Sequence, residues 1–323
     1  MEPKNPRLQH YWNRTVKELT DRPPLSLEEG EAERHRIYAW LVMALVHHYW
    51  NGNKNGRRGE YPFNTPPGAN AGAFHDADYL GHNIAAIAVD AEGYVVDFEF
   101  NHNKLYNSSA EHAEARLIRR VYDLAQVNDS WALNRKVRAR EDYEMFEDTT
   151  VYTSLESCSQ CTGVMALARV WRVVYLQPDH GMYLIGNIVR NLTEGTRLEA
   201  PIPIPGDQIG LRQYAELDAA FDLFGEQLKT TPFYIPTDPN EKKSTSHSVT
   251  SFLCTRAARD LYGAGRAALE ALTPETLAHP GFKPADRDGK RVENALTNLQ
   301  VLGEVNGFLA YAIEAGRRGT PHH

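Results

Sequence analysis

The sequence predicts an α/β fold: a mixed sheet of five strands with helices on its faces, followed by a helical C-terminal extension. Three observations predict it. Two apolar strand-like runs, Ile84–Val89 and Tyr94–Phe100, are joined by a short Gly-bearing connection that suits a hairpin. Strand, helix and strand then follow in close order from Thr150 to Leu176, which implies a right-handed parallel crossover. From Leu211 onward the apolar residues keep a helical period. The chain has 323 residues, 42% hydrophobic and 24% charged, with a formal charge of −7. That is globular composition, and the net charge argues against a wholly basic nucleic-acid coat.

Taken in order, residues 1–30 read as a polar, proline-punctuated arm on the surface. Glu31–Trp50 is a predicted helix, with Ile37, Trp40, Leu41, Ala44, Leu45 and His48 at helical spacing. The stretch 51–83 is rich in Gly, Asn and Pro and reads as a long loop insertion. After the hairpin comes a helix over Ser109–Ala125, for which Ser108 and Glu111 suggest a capping box. Thr150–Leu155 (strand), Ser159–Arg169 (helix) and Arg172–Leu176 (strand) make the crossover, which Met182–Leu192 and Arg197–Ile204 extend by a helix and a strand. The run PIPIPG, from Pro201, suits only an edge strand. Ala215–Leu228, Thr255–Leu272 and Val292–Glu314 are further helices, and Ala295, Leu299, Leu302, Val305 and Leu309 form a core-facing stripe on the last. A polar break after residue 236 divides the main domain, 31–236, from a helical extension, 237–323.

Two short pieces carry chemistry. One is Glu111-His-Ala-Glu114 at a helix start; the other is Cys158-Ser-Gln-Cys161 at a strand-to-helix junction. The two cysteines stand one helical turn apart, so both sulfurs can point to one side. A helix N-terminus favours the thiolate, the form that binds metal. With His112 they make three N/S ligands. Three such ligands and an open fourth position are the pattern of a catalytic zinc site. Each piece has a plainer reading: a redox pair, a histidine bonded to a carbonyl, a solvated glutamate. Both pieces, however, begin helices at one end of a sheet, where open α/β sheets collect ligands.

His-Ala-Glu on one helix and Cys-x-x-Cys opening the next resembles the zinc-dependent cytidine/deoxycytidylate deaminase superfamily. Thr153-Ser-Leu-Glu156, Gly163-Val-Met165 and Arg172-Val-Val-Tyr175 look especially like its tRNA adenosine deaminase branch. The resemblance spans about Ile84 to Ile204. It implies a three-layer α/β/α sandwich and Zn²⁺ held by His112, Cys158 and Cys161. Glu114 would be the catalytic proton carrier rather than a ligand. It also implies a substrate contact from an asparagine at the end of the second strand. Asn101 and Asn103 both fit, and both equally fit a turn that satisfies itself. The small Ala113 between the two site residues would let a base approach closely. One position departs from the pattern: the family usually has proline before the first cysteine, and here it is Ser157.

The implied reaction is hydrolytic deamination of a nucleobase, as free base, nucleoside or nucleotide. The alternative substrate is tRNA or single-stranded nucleic acid. Arg116, Arg119, Arg120, Arg135, Lys136, Arg138 and Arg140 either line a phosphate-gripping rim or form a solvated face. A different class of reading is a non-catalytic zinc scaffold, with Cys254, His102 or His180 closing the metal's fourth position. A thiol–disulfide oxidoreductase would leave His112 and Glu114 without a role. The odd set of three cysteines suits a reducing compartment, and the chain shows no apolar leader or membrane span, so a cytoplasmic protein is expected. A homodimer is expected from the family's habit of pairing near the metal site.

Overall fold

The computed structural model describes residues 14–52, 54, 79–131, 146–182, 184–233 and 246–315, with isolated positions 4, 5, 9 and 12; for 124–131 and 315 it describes the backbone alone. Most of the 51–83 insertion, and Arg135, Lys136, Arg138 and Arg140, lie outside the described residues. Five strands form one mixed sheet: β1 (Ala85–Val89), β2 (Val95–Phe100), β3 (Thr150–Thr153), β4 (Arg172–Tyr175) and β5 (Ile202–Pro205). Their order is β2-β1-β3-β4-β5. β1 pairs antiparallel with β2 and β3, whereas β3, β4 and β5 run parallel. β5 is an edge strand, as its two prolines require.

The hairpin turns on Gly93, whose φ of +103° favours glycine. Asp90 Oδ1 secures the turn by accepting from the Gly93 and Tyr94 amides, at 2.8 and 2.9 Å. β1 is buried along its whole length, as expected for a strand covered on both faces. β2 alternates instead. Phe98 and Phe100 face one layer of helices, against Phe308 and Tyr49, while Asp97 and Glu99 face the other.

Among the described residues there are nine helices. On the Asp97/Glu99 face lie α3 (Ala113–Trp131), α4 (Ser159–Leu167) and α5 (Ile185–Thr193). The other face carries α2 (Glu29–His48), with α8 (Arg256–Glu270) and α9 (Asn298–Ala315) packed against it; α6 (Arg212–Leu228) and the short α7 (Val249–Phe252) complete that side. This is the three-layer α/β/α arrangement. The C-terminal helices share one hydrophobic core with the sheet, in which Ile37, Leu41, Ile87, Tyr262, Val301 and Val305 are all buried. α8 approaches α2 closely because Gly265 has no side chain: a Cβ there would overlap Met43.

Two expectations need correction here. The capping box at Ser108 and Glu111 does not form, and the helix begins at Ala113. Ser108 Oγ accepts from the Ala110 amide in a local turn, and Glu111 turns instead to Arg116 and Arg119. A true capping box lies in the arm, where Thr15 and Glu18 open the short helix α1 (Val16–Thr20), which docks on α5 through Asn191. In α9, Leu299 is 43% exposed and Val301 takes its place in the core.

Of the basic run, Arg116, Arg119 and Arg120 are described, and all three take part in ion pairs. Arg116 is buried, with Nε 3.3 Å from Glu99 and Nη1 2.7 Å from Glu111. Arg119 pairs with Glu111, and Arg120 with Asp97. Arg116 and Arg120 neutralise the buried Glu99 and Asp97 of β2, while Arg119 stays on the exposed side of α3. Arg116→Ala should therefore cost about 3–5 kcal/mol in denaturant unfolding, by stranding the Glu99 carboxylate. Arg119→Ala, whose side chain is 60% exposed, should cost no more than about 1 kcal/mol in the same measurement.

Candidate metal centre

Two helix beginnings meet at one end of the sheet. His112 immediately precedes α3, and its carbonyl accepts the Arg116 amide at 3.0 Å as the first helical bond. Cys158 is the N-cap of α4, in extended conformation, and its carbonyl accepts from Thr162 at 2.9 Å. Gln160 ties the two together by donating to the Ala110 carbonyl at 2.8 Å. The amide of His102 donates to the Glu111 carbonyl at 3.0 Å, which anchors the segment before α3 to the end of β2.

The outcome is a tight cluster. His112 Nδ1 lies 3.3 Å from Cys158 Sγ and 3.5 Å from Cys161 Sγ, and the three ligand atoms all lie within 4.8 Å of one another. Such a set of one imidazole and two sulfurs fits zinc. The protonation pattern agrees with ligand chemistry. Hydrogen bonding from Cys161 and His112 pushes the Cys158 thiol down to about 4. Donation to Cys158, together with burial, pushes the Cys161 thiol up. His112 is held above its ordinary value by its bond to Cys158. A cation would take the place of the protons that the three groups share here.

Glu114 stands beside the cluster in the first turn of α3 and is only 4% exposed. Its Oε2 is 3.4 Å from Cys161 Sγ, and its Oε1 accepts from Ser157 Oγ at 3.0 Å. Burial holds its carboxyl above the usual range. Ala113 is fully buried at the start of α3. Asn101 is buried at the end of β2, where its Oδ1 accepts from the amides of His82 and Asn103. Asn103 Nδ2 lies 3.2 Å from His82 Nε2. Two polar residues behind the site carried no role in the sequence reading. Glu156, pushed up to about 7 by burial, accepts the Asp179 amide, and the buried Gln177 accepts the Glu156 amide at its carbonyl. In the sequence Glu156 is marked only by its place just before the cysteine turn, and Gln177 only by following β4.

None of the residues proposed to close a structural site joins the ligand cluster. His180 is on the surface, bonded to Asp218 at 2.7 Å and stacked on Phe221. Cys254 bonds to the Thr250 carbonyl just after α7, with its thiol pushed up to about 11 by burial. His102 packs beside Tyr106. Among the described residues the cluster offers three candidate metal ligands.

Residues 70–177 match the family of the cytidine and deoxycytidylate deaminase zinc-binding region. The matched stretch, about a third of the chain, includes His112, Glu114, Cys158 and Cys161. Several solved structures are similar. A tRNA:A34 deaminase that performs A-to-I editing at the tRNA wobble position is 21% identical, over 40% of this chain and 83% of its own, with a TM-score of 0.30. Guanine deaminase from Bacillus subtilis is 24% identical over 31% of this chain and 53% of its own, TM-score 0.24. Guanine deaminase from Nitrosomonas europaea is 20% identical over 41% and 71%, TM-score 0.27. No protein of curated function matches the sequence.

Purified protein should carry about one zinc per chain by elemental analysis, as expected for a single three-ligand site. Cys158→Ser and Cys161→Ser should each abolish it and lower the melting temperature, because binding and folding are coupled. Zinc affinity should fall as pH falls, since Cys161 and His112 must give up protons to bind.

Proposed function

We propose that this chain is a zinc-dependent hydrolytic deaminase that converts an exocyclic amine of a nucleobase to a carbonyl and releases ammonia. The substrate is a free base, nucleoside or nucleotide. The observation that carries the reading is Glu114: a buried carboxylate beside three metal ligands, 3.4 Å from one of them, outside the ligand set itself. A structural zinc site has no need of such a group.

Zinc held by His112, Cys158 and Cys161 would act as a Lewis acid, bringing the pKa of a water close to neutrality. Glu114 takes the proton that this water gives up. It delivers that proton to the ring nitrogen as the hydroxide oxygen bonds to the amine-bearing carbon, then passes the proton of the new hydroxyl to the amine, so that the C–N bond breaks, ammonia leaves and the carbonyl forms. Its raised pKa suits a group that must both accept and return a proton near neutral pH. Ala113, with no bulk beyond Cβ, leaves room for a flat ring over the start of α3. Asn101 is fixed through Oδ1 to two backbone amides. That orients its amide, so Nδ2 is the donor we assign to the substrate, with Asn103 beside it.

A small substrate is favoured over a nucleic acid because Arg116, Arg119 and Arg120 are held in ion pairs with Asp97, Glu99 and Glu111. No helix among the described residues is long and apolar enough to cross a membrane. A cytoplasmic homodimer stays part of the reading, although α8 and α9 already cover α2 within one chain. Light scattering at micromolar concentration decides that point.

Ammonia release should be seen with at least one member of a panel of bases, nucleosides, nucleotides, tRNA and single-stranded DNA. Glu114→Ala and Glu114→Gln should both retain zinc and fold while losing about 10²–10⁴-fold or more in kcat. A wild-type protein silent on the whole panel, or activity that survives Glu114→Ala, would overturn the assignment.

A further inference from the structure

We infer that Ser157 is a positioning residue for Glu114, a hydroxyl that orients the proton-carrying carboxylate where the family usually has a proline without one. This rests on the deaminase reading and deepens it. Ser157 is 3% exposed and Glu114 4%, so water does not compete for either group. Ser157 Oγ donates to Glu114 Oε1 at 3.0 Å, and the two residues come from different helix beginnings.

The terminal torsion of a glutamate is soft and roughly two-fold, so packing alone sets its carboxylate plane poorly. A buried donor on one oxygen removes that freedom. With Oε1 held by Ser157, the other oxygen, Oε2, is left on the Cys161 side, 3.4 Å from that sulfur. The carboxylate thus has one oxygen for orientation and one facing the metal ligands. Proton transfer depends steeply on such alignment. Proline closes its ring on its own backbone nitrogen and offers no donor. A chain with proline here must orient its glutamate by other means.

The test compares Ser157→Ala, Ser157→Thr and Ser157→Pro in the zinc-loaded full chain, on whichever panel member the wild type deaminates. Ser157→Ala and Ser157→Pro should lose about 10–100-fold in kcat, the scale of one hydrogen bond to a charged group. KM should stay within about two-fold, since the residue is assigned no substrate contact. Ser157→Thr, which keeps the hydroxyl, should recover most of the rate. A second readout is independent of turnover. The Glu114 carboxylate stretch, found by infrared difference against Glu114→Gln, should shift in Ser157→Ala and stay in place in Ser157→Thr. Equal rates in wild type and Ser157→Ala, an unshifted band, or loss of zinc in Ser157→Ala would each overturn the inference. The last would make Ser157 a structural residue. A wild-type chain silent on the whole panel would overturn the deaminase reading, and this inference with it.

Discussion

The meeting of two helix beginnings, α3 and α4, at one end of the mixed sheet is the constraint on which the rest of the site depends. Each helix contributes the positive end of its dipole. Of the groups gathered there, Cys158 is favoured as the thiolate, while burial holds Glu114 and hydrogen bonding and burial hold Cys161 toward their protonated forms. The register that brings them together is set away from the site. β3 and β4 run parallel in strict pairing from Thr150–Arg172 to Thr153–Tyr175. The chain must therefore cross over the sheet between them, and Cys158 falls where the crossing helix begins. The Gln160–Ala110 bond and the His102–Glu111 bond then hold the second piece, His112 to Glu114, against the first.

A sheet only two layers deep would not hold that register well, and the third layer is built with unusual polarity. Helix α2 is buried nearly all round, including Glu33, Arg34 and His35. Glu33 accepts from the Ala278 and His279 amides and from Asn298, at 2.6, 2.9 and 3.1 Å. Arg34 donates to the Leu296 carbonyl at 2.7 Å, and His35 bonds to Tyr152 of β3 at 2.7 Å. Polar residues that would ordinarily mark a solvent face here fasten the C-terminal segment to the sheet. Burial is compatible with these groups because each finds a partner. The desolvated His35 is accordingly pushed down to about 3 and stays neutral.

The opposite layer solves the same problem with charge. Asp97 and Glu99 point from β2 toward α3, where an apolar side chain would be expected, and Arg116 and Arg120 meet them. The pairs fix how α3 lies on β2, and so where its first turn delivers Glu114. A rim of free arginines would have suggested a polyanionic ligand. Buried pairs turn the same residues into part of the scaffold.

How much was legible follows from the range of the forces involved. Strand alternation, helical period and turn chemistry act within a few residues, so the hairpin at Gly93, the crossover from Thr150 to Tyr175 and the proline-limited edge strand were readable from the sequence. The sequence also marks the residues that the fold brings into one cluster, because Cys158 and Cys161 share one helical turn and His112 and Glu114 share another. Competition between partners is not readable in that way. Glu111 follows Ser108 at capping-box spacing, yet Arg116 and Arg119 draw it away, and the helix starts four residues later than the spacing suggests. The polar face of α2 reads as solvent-exposed until residues more than 240 positions onward arrive to cover it. Ser157 is, in the sequence, a missing proline; only the fold sets its hydroxyl against Glu114. The sequence by itself determined which atoms can bind a metal. Tertiary structure decided what surrounds them, because a hydrogen bond across 43 positions depends on how two helices pack and not on either one alone.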